Sequence, residues 1–242
     1  MNFTLRTERD RSLAAFSWLF LAAALLCAPT LRLSVDALKL AIPELRPAAA
    51  SAHAPAVDPW APAPFVLRGA SIAEREQAVN CLAAAVYYEA GTEPPAGQRA
   101  VAQVVLNRLR DPKFPASVCG VVFQGARRHT GCQFSFVCDG SFRRRPPGAE
   151  QLAHARSVAE QALTGRVAAE VGTATHYHAS YVHPSWERRL VKVNRIGAHI
   201  FYRRPGEAGA PSALTQRYTG GELRVAGRRQ LAVALRALNE NA

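Results

Sequence analysis

CLAAAVYYEAGTEPPAGQRAVAQVVLNRL, residues 81–109, holds two helical patterns and, where they meet, two carboxylates. Val79, Leu82, Ala83 and Val86 recur at helical spacing, and the pattern runs on through Tyr87, Tyr88 and Glu89 until Gly91 stops it. Pro94 and Pro95 suit the first positions of a second helix, whose apolar stripe is Val101, Val104, Val105 and Leu109. A turn this short makes the two helices packed neighbours. Glu89 then sits at a helix end, flanked by Tyr88 and Ala90 and covered by the second helix. Partial desolvation there raises a carboxyl pKa, which is what a general acid requires near neutral pH. Glu93, beside two prolines, is expected to be the more solvated of the two. By spacing alone the commoner reading of both is a pair of solvated helix-end charges.

Working outward toward the N-terminus, Ser71 is set to cap a helix that starts at Ile72, and Glu74 completes a capping box. The stretch before it, PAAASAHAPAVDPWAPAP at residues 47–64, carries Asp58 as its only charge and reads as a semi-extended linker. Residues 12–31 are uncharged, with Arg6, Arg9 and Arg11 before them and Arg32 after, the layout of a signal peptide or of a span that crosses a bilayer. The expected division is therefore residues 1–33 as signal peptide or signal anchor, 34–70 as linker, 71–205 as one catalytic domain, and 206–242 as a basic tail. Leu231, Leu235 and Leu238 give that tail the face of an amphipathic helix. The expected location is outside the cytoplasmic membrane, periplasmic or facing the wall, with the N-terminal segment as the membrane contact.

At 242 residues and 49% apolar composition the chain can bury one core of ordinary size. A net charge of +12 asks for an anionic partner or surface. The basic residues form only short clusters, Arg127 with Arg128 and Arg143 to Arg145, so a nucleic-acid partner is not expected. Cys27 lies in the apolar segment, which leaves Cys81, Cys119, Cys132 and Cys138 for two disulfides in an exported domain, with three pairings open. GCQFSFVCDG, residues 131–140, alternates Phe134, Phe136 and Cys138 as a short strand or ribbon does. Residues 148–163 read as a structural helix on Leu152, Ala155, Ala159 and Leu163.

The run YYEAGTEPPAGQRAVAQVVLNRL, followed in order by DPKFPASVCGVVFQ, CQFSFVCDG, ATHYHASYVHPSW and IGAHIFYR, resembles the catalytic domain of SleB/CwlJ-type cell-wall hydrolases. The resemblance covers residues 78–204, and this chain reads EAGTEP where the family reads EARGEP. It implies a mainly helical α+β domain with a small β ribbon, lysozyme-like, that cuts the glycan strands of peptidoglycan between N-acetylmuramic acid and N-acetylglucosamine. The glutamate of its YxEA motif, here Glu89, is the implied general acid/base. The block at residues 131–140 then borders the saccharide groove, where Gln133, Ser135 and Asp139 can meet sugar hydroxyls.

Tyr88, His176, Tyr177, His178, Tyr181 and Trp186 suit the same groove, since aromatic faces stack on sugar faces and ring N–H and O–H groups reach hydroxyls. Core packing beside Ile196, Ile200 and Phe201 is the rival reading of Trp186. An H-x-H pair is a weak zinc signal even with His183 or Glu187 as third ligand, so no metal or other cofactor is expected. A hydrolytic muramidase would need a second carboxylate, Glu93 or Asp139. A lytic transglycosylase needs one glutamate, acting first as acid and then as base, and is the favoured outcome. A non-catalytic wall-binding protein is the remaining alternative.

Overall fold

The computed structural model describes residues 58–126 and 131–222, which hold five α-helices and one three-stranded sheet. The apolar segment at residues 12–31 and the tail helix expected beyond Glu222 lie outside the described residues. No helix among the described residues is long and apolar enough to cross a membrane.

Helix α1 spans Ile72–Ala90, and the Ser71 hydroxyl accepts the Glu74 N–H at 3.2 Å, as the capping pattern predicts. The return arm of the capping box is diverted, because the Glu74 carboxylate instead accepts the N–H of Glu222 at 2.6 Å. From Ala78 to Val86 α1 is buried all round, so it is the central rod of the core rather than a surface helix. Helices α2 (Pro95–Arg110), α3 (Val118–Val122) and α5 (Ala149–Leu163) pack around it.

Three of the polar side chains that helix α2 buries, Gln103, Asn107 and Arg108, bond to one another or to irregular backbone. Asn107 Nδ2 donates to the carbonyls of Gly172 and Ala174 at 2.9 and 2.8 Å, and its oxygen accepts Gln103 Nε2. Gln103 Oε1 accepts the Ala168 N–H, and Arg108 Nε donates to the Thr175 carbonyl at 2.7 Å. These bonds staple the irregular segment 168–175 to α2 and satisfy backbone groups that would otherwise be orphaned in the interior. They thereby fix where the next strand begins.

That strand is β1 (His176–Ala179), and with β2 (Val191–Ile196) and β3 (His199–Arg203) it forms an antiparallel sheet in the order β1-β3-β2. Tyr177 stands opposite Phe201, and His178 opposite Ile200. The β2-β3 connection turns at Gly197, whose φ of +56° disfavours other residues. The N–H of Ala198 in that turn donates to the Glu93 carboxylate at 3.1 Å, and a Cβ on Gly197 would collide with it. The expected helix-rich domain with a small β element is therefore observed, but the β element is not at residues 131–140. There the chain makes a 3-10 turn at Ser135–Val137 and then α4 (Ser141–Arg144). Phe134 and Phe136 are both buried while Ser135 is exposed, so the alternation reports burial without a strand partner.

The four cysteines pair as Cys81–Cys119, joining α1 to α3, and Cys132–Cys138, with Cα separations of 5.2 and 6.1 Å. By loop entropy such closures contribute roughly 4 and 2 kcal/mol respectively. The packed region also passes both expected boundaries. Leu67 is 0% exposed, its N–H donates to Leu163 O, and Trp60 lies under the Arg203 guanidinium at 3.5 Å, so packing begins before Ser71. At the other end Leu214 is buried, and Gln216 Nε2 donates to the carbonyls of Leu109 and Phe114. Glu222, 0% exposed, accepts the N–H groups of Val118 and Cys119 at 2.8 and 2.7 Å. An Ala/Pro-rich composition reads as linker even where its few apolar residues find a groove.

Candidate active site

Glu89 sits in the last turn of α1, where the helix leaves the core. The Tyr177 hydroxyl, on the core-facing side of β1, donates to its Oε2 at 2.9 Å. Burial raises the Glu89 carboxyl pKa, while the Tyr177 hydrogen bond and the charge of Arg108 pull it back and Asp139 pushes it further up. The result is a carboxyl that holds its proton longer than a free glutamate does. Arg108 is buried, and desolvation lowers it to about 10, so it remains a cation at neutral pH. Its guanidinium lies 5.6 Å from the Phe114 ring centre and 5.3 Å from that of Phe134, a cation seated between two π faces.

Asp139 is exposed, and its Oδ1 accepts the Ser141 N–H at 2.7 Å. Burial raises its pKa somewhat, but the Ser141 hydrogen bonds and the nearby Arg144 and Arg145 outweigh that and lower it. Two carboxyls that feel each other's charge are thus pushed in opposite directions, Glu89 toward the acid and Asp139 toward the carboxylate. Tyr88 stacks on Phe136 at 4.9 Å and donates to the Arg145 carbonyl. Burial, with Tyr87 beside it, pushes its phenol up to about 12.

Glu93 does not share this surface. Its side chain is only 10% exposed, against the expectation of a solvated turn residue, because the β2-β3 turn closes over it. His199 Nδ1 lies 3.8 Å from its Oε1.

The sheet divides the aromatic cluster. Consecutive residues of β1 face opposite ways, so Tyr177 meets Glu89, Phe201 and His199, while His176 and His178 meet Trp186 on the other face. His178 Nε2 is 2.9 Å from the Tyr202 hydroxyl, and Trp186 meets Tyr202 edge to face. Glu187 Oε2 lies 3.6 Å from both His178 and His183. Tyr181 stands at the strand end, 81% exposed. Gln133 and Ser135 flank the buried Phe134, with Ser135 open to solvent. Sequence reasoning did not single out Arg108. Its signal was there: Arg108 interrupts the buried stripe of Val104, Val105 and Leu109, where a solvated arginine has no place.

A helix-rich α+β domain thus presents a desolvated glutamate at a helix end, with a phenol on it and a second carboxylate nearby. Residues 92–202 match the cell wall hydrolase family, and through this domain the chain belongs to that family. The match begins three residues after Glu89. Among similar proteins, the spore cortex-lytic enzyme of Halalkalibacterium halodurans is 39% identical over 126 residues, 51% of this chain and 34% of that protein. The spore cortex-lytic enzyme of Bacillus subtilis is 35% identical over 123 residues, 51% of this chain and 36% of that protein. The chain thus spans about a third of the length of these relatives. The crystal structure of the catalytic domain of the Bacillus cereus SleB protein is 32% identical and covers 57% of this chain and 95% of its own, with a TM-score of 0.44.

Proposed function

We propose that this domain cleaves peptidoglycan glycan strands between N-acetylmuramic acid and N-acetylglucosamine, with Glu89 as general acid and then base. The observation that carries the reading is the Glu89–Tyr177 pair. Burial shifts Glu89 toward the protonated form that can serve the leaving oxygen, and the Tyr177 hydroxyl at 2.9 Å orients the carboxyl and stabilises the anion left behind. The lytic transglycosylase outcome is favoured, because it asks only for this one glutamate. The substrate's C6 hydroxyl attacks the anomeric carbon, the ionised Glu89 takes that hydroxyl's proton, and an anhydro sugar is left. A hydrolytic outcome is the second reading, supported by Asp139, the exposed carboxylate whose charge reaches Glu89. The uncharged apolar segment at residues 12–31, with the layout of a signal peptide or anchor, and the two disulfides support action outside the cytoplasmic membrane.

Mass spectrometry of fragments released from purified peptidoglycan separates the readings: anhydro ends mean transglycosylase, reducing ends mean hydrolase, and no fragments mean a binder. Glu89→Gln, nearly isosteric but unable to donate a carboxylic proton, is expected to lose about 10²- to 10⁴-fold in turnover with unfolding unchanged. Near-parental turnover in the folded variant would remove Glu89 as the acid.

A further inference from the structure

A second site is built on the face of the sheet away from Glu89. There the His176 ring lies 6.4 Å from the ring of Phe114 and 5.5 Å from that of Trp186. Together with Leu190 these rings wall a cavity of about 310 Å³, and Lys113, Arg189 and Arg204 complete its lining. Arg204 is ion-paired with Asp111. Lys113 and Arg189 are exposed, and neither pairs with a carboxylate among the described residues. Burial, with Arg108 and Arg204 close by, pulls His176 down to about 4, so it adds a neutral hydrogen-bonding ring rather than another charge.

Apolar walls under uncommitted cations select a ligand with a short apolar body ending in an anion. In a stem-bearing glycan strand the N-acetylated backbone offers no such group, because the lactyl carboxyl of each muramic acid is amide-linked to its stem. In peptidoglycan the anions are the carboxylates of the peptide stems, which hang from every other sugar on short aliphatic residues.

We propose that this cavity is a stem-peptide subsite, in which Lys113 and Arg189 hold the terminal carboxylate of a stem while Phe114, Trp186 and Leu190 enclose its aliphatic part. The assignment rests on the peptidoglycan reading of the substrate, and it deepens that reading from glycan to stem-bearing glycan. His176 and Tyr177 are consecutive in β1, so the stem cavity and the phenol that orients Glu89 are fixed to one strand.

The test uses the full chain and the double variant Lys113→Gln with Arg189→Gln, both at exposed positions. Cleavage is measured on peptidoglycan with intact stems and on the same material after an amidase has removed them. In parallel a free stem tetrapeptide and its C-terminal amide are titrated by calorimetry. On intact stems the variant is expected to lose about 10-fold in kcat/KM, through KM and not kcat, the scale of one charge-assisted contact at an open rim. On stem-free strands its loss is expected to stay below about twofold. The parent is expected to bind the tetrapeptide about 10-fold more tightly than the amide, a preference the variant lacks. Equal losses on both substrates, no loss on either, or tetrapeptide and amide bound alike would each overturn the assignment. So would loss of binding to anionic phospholipid vesicles with tetrapeptide binding intact, which would give the cavity to a lipid headgroup. If the parent cleaves neither substrate, the reading of Glu89 fails, and the titration alone decides the cavity.

Discussion

In the proposed mechanism Glu89 and Tyr177 act as a pair, and their relation makes a prediction with a sign. The Tyr177 hydroxyl donates to Oε2 and so favours the ionised carboxylate. Removing it in Tyr177→Phe raises the Glu89 pKa beyond its already raised position. A general acid works while it is protonated, so the alkaline limb of the activity profile is expected to move to higher pH as turnover falls roughly 10-fold or more from lost orientation. A full pH profile of both proteins checks this, and a limb that stays or moves to lower pH excludes the hydrogen bond from setting the acid. Arg108 was the residue least open to sequence reasoning. Its partners are the Thr175 carbonyl and two phenylalanine rings, and Thr175 is 67 residues along the chain.

At the scale of elements, the two helices on either side of Glu89 were legible because periodicity, the Ser71 cap and the Pro94-Pro95 pair agree on them. The sheet was not. Phe134, Ser135 and Phe136 alternate as strand residues do, but the disulfide between Cys132 and Cys138 and a 3-10 turn satisfy the same alternation. The split of His176 and Tyr177 onto opposite faces was implicit in a strand of consecutive aromatics, yet which face holds the acid depends on segment 168–175 being stapled to α2. Glu93 belongs at this scale too. It clamps the β2-β3 turn through the Ala198 N–H, so Glu93→Gln is expected to cost about 1–3 kcal/mol in stability and less in turnover than Glu89→Gln. Urea unfolding beside fragment release measures both. A folded, fully stable and inactive Glu93→Gln protein would move Glu93 from the turn into the chemistry.

At the scale of the whole described domain, the last described residue ties its two ends together. Glu222 buries its carboxylate against the start of α3, beside the cysteine that joins α3 to α1. Burial raises its pKa to about 7, against the N–H groups of Cys119 and Val118 that lower it, with Glu74 raising it and the Tyr218 hydroxyl lowering it. The folded state therefore binds a proton that the unfolded chain releases near pH 4.5. Stability is expected to fall as pH rises from about 4.5 to about 7, by about 3 kcal/mol at most from this group. Glu222→Gln is expected to flatten that part of the dependence, measured as urea midpoints across the pH range. An unchanged slope in the variant would exclude Glu222 as its source. The packed margins at Leu67 and Glu222 also mean that a fragment cut to residues 71–205 loses core contacts and the carboxylate against α3.

The distance along the chain between Glu89 and Tyr177 has a consequence in time. Eighty-eight residues separate them, so during synthesis the acid emerges long before the phenol that orients it. Until β1 is made and fastened to α2, Glu89 is an ordinary solvated glutamate at the frayed end of a helix. On the proposed reading the domain is thus born inert, and its proton donor matures only when the last third of the domain has joined the first.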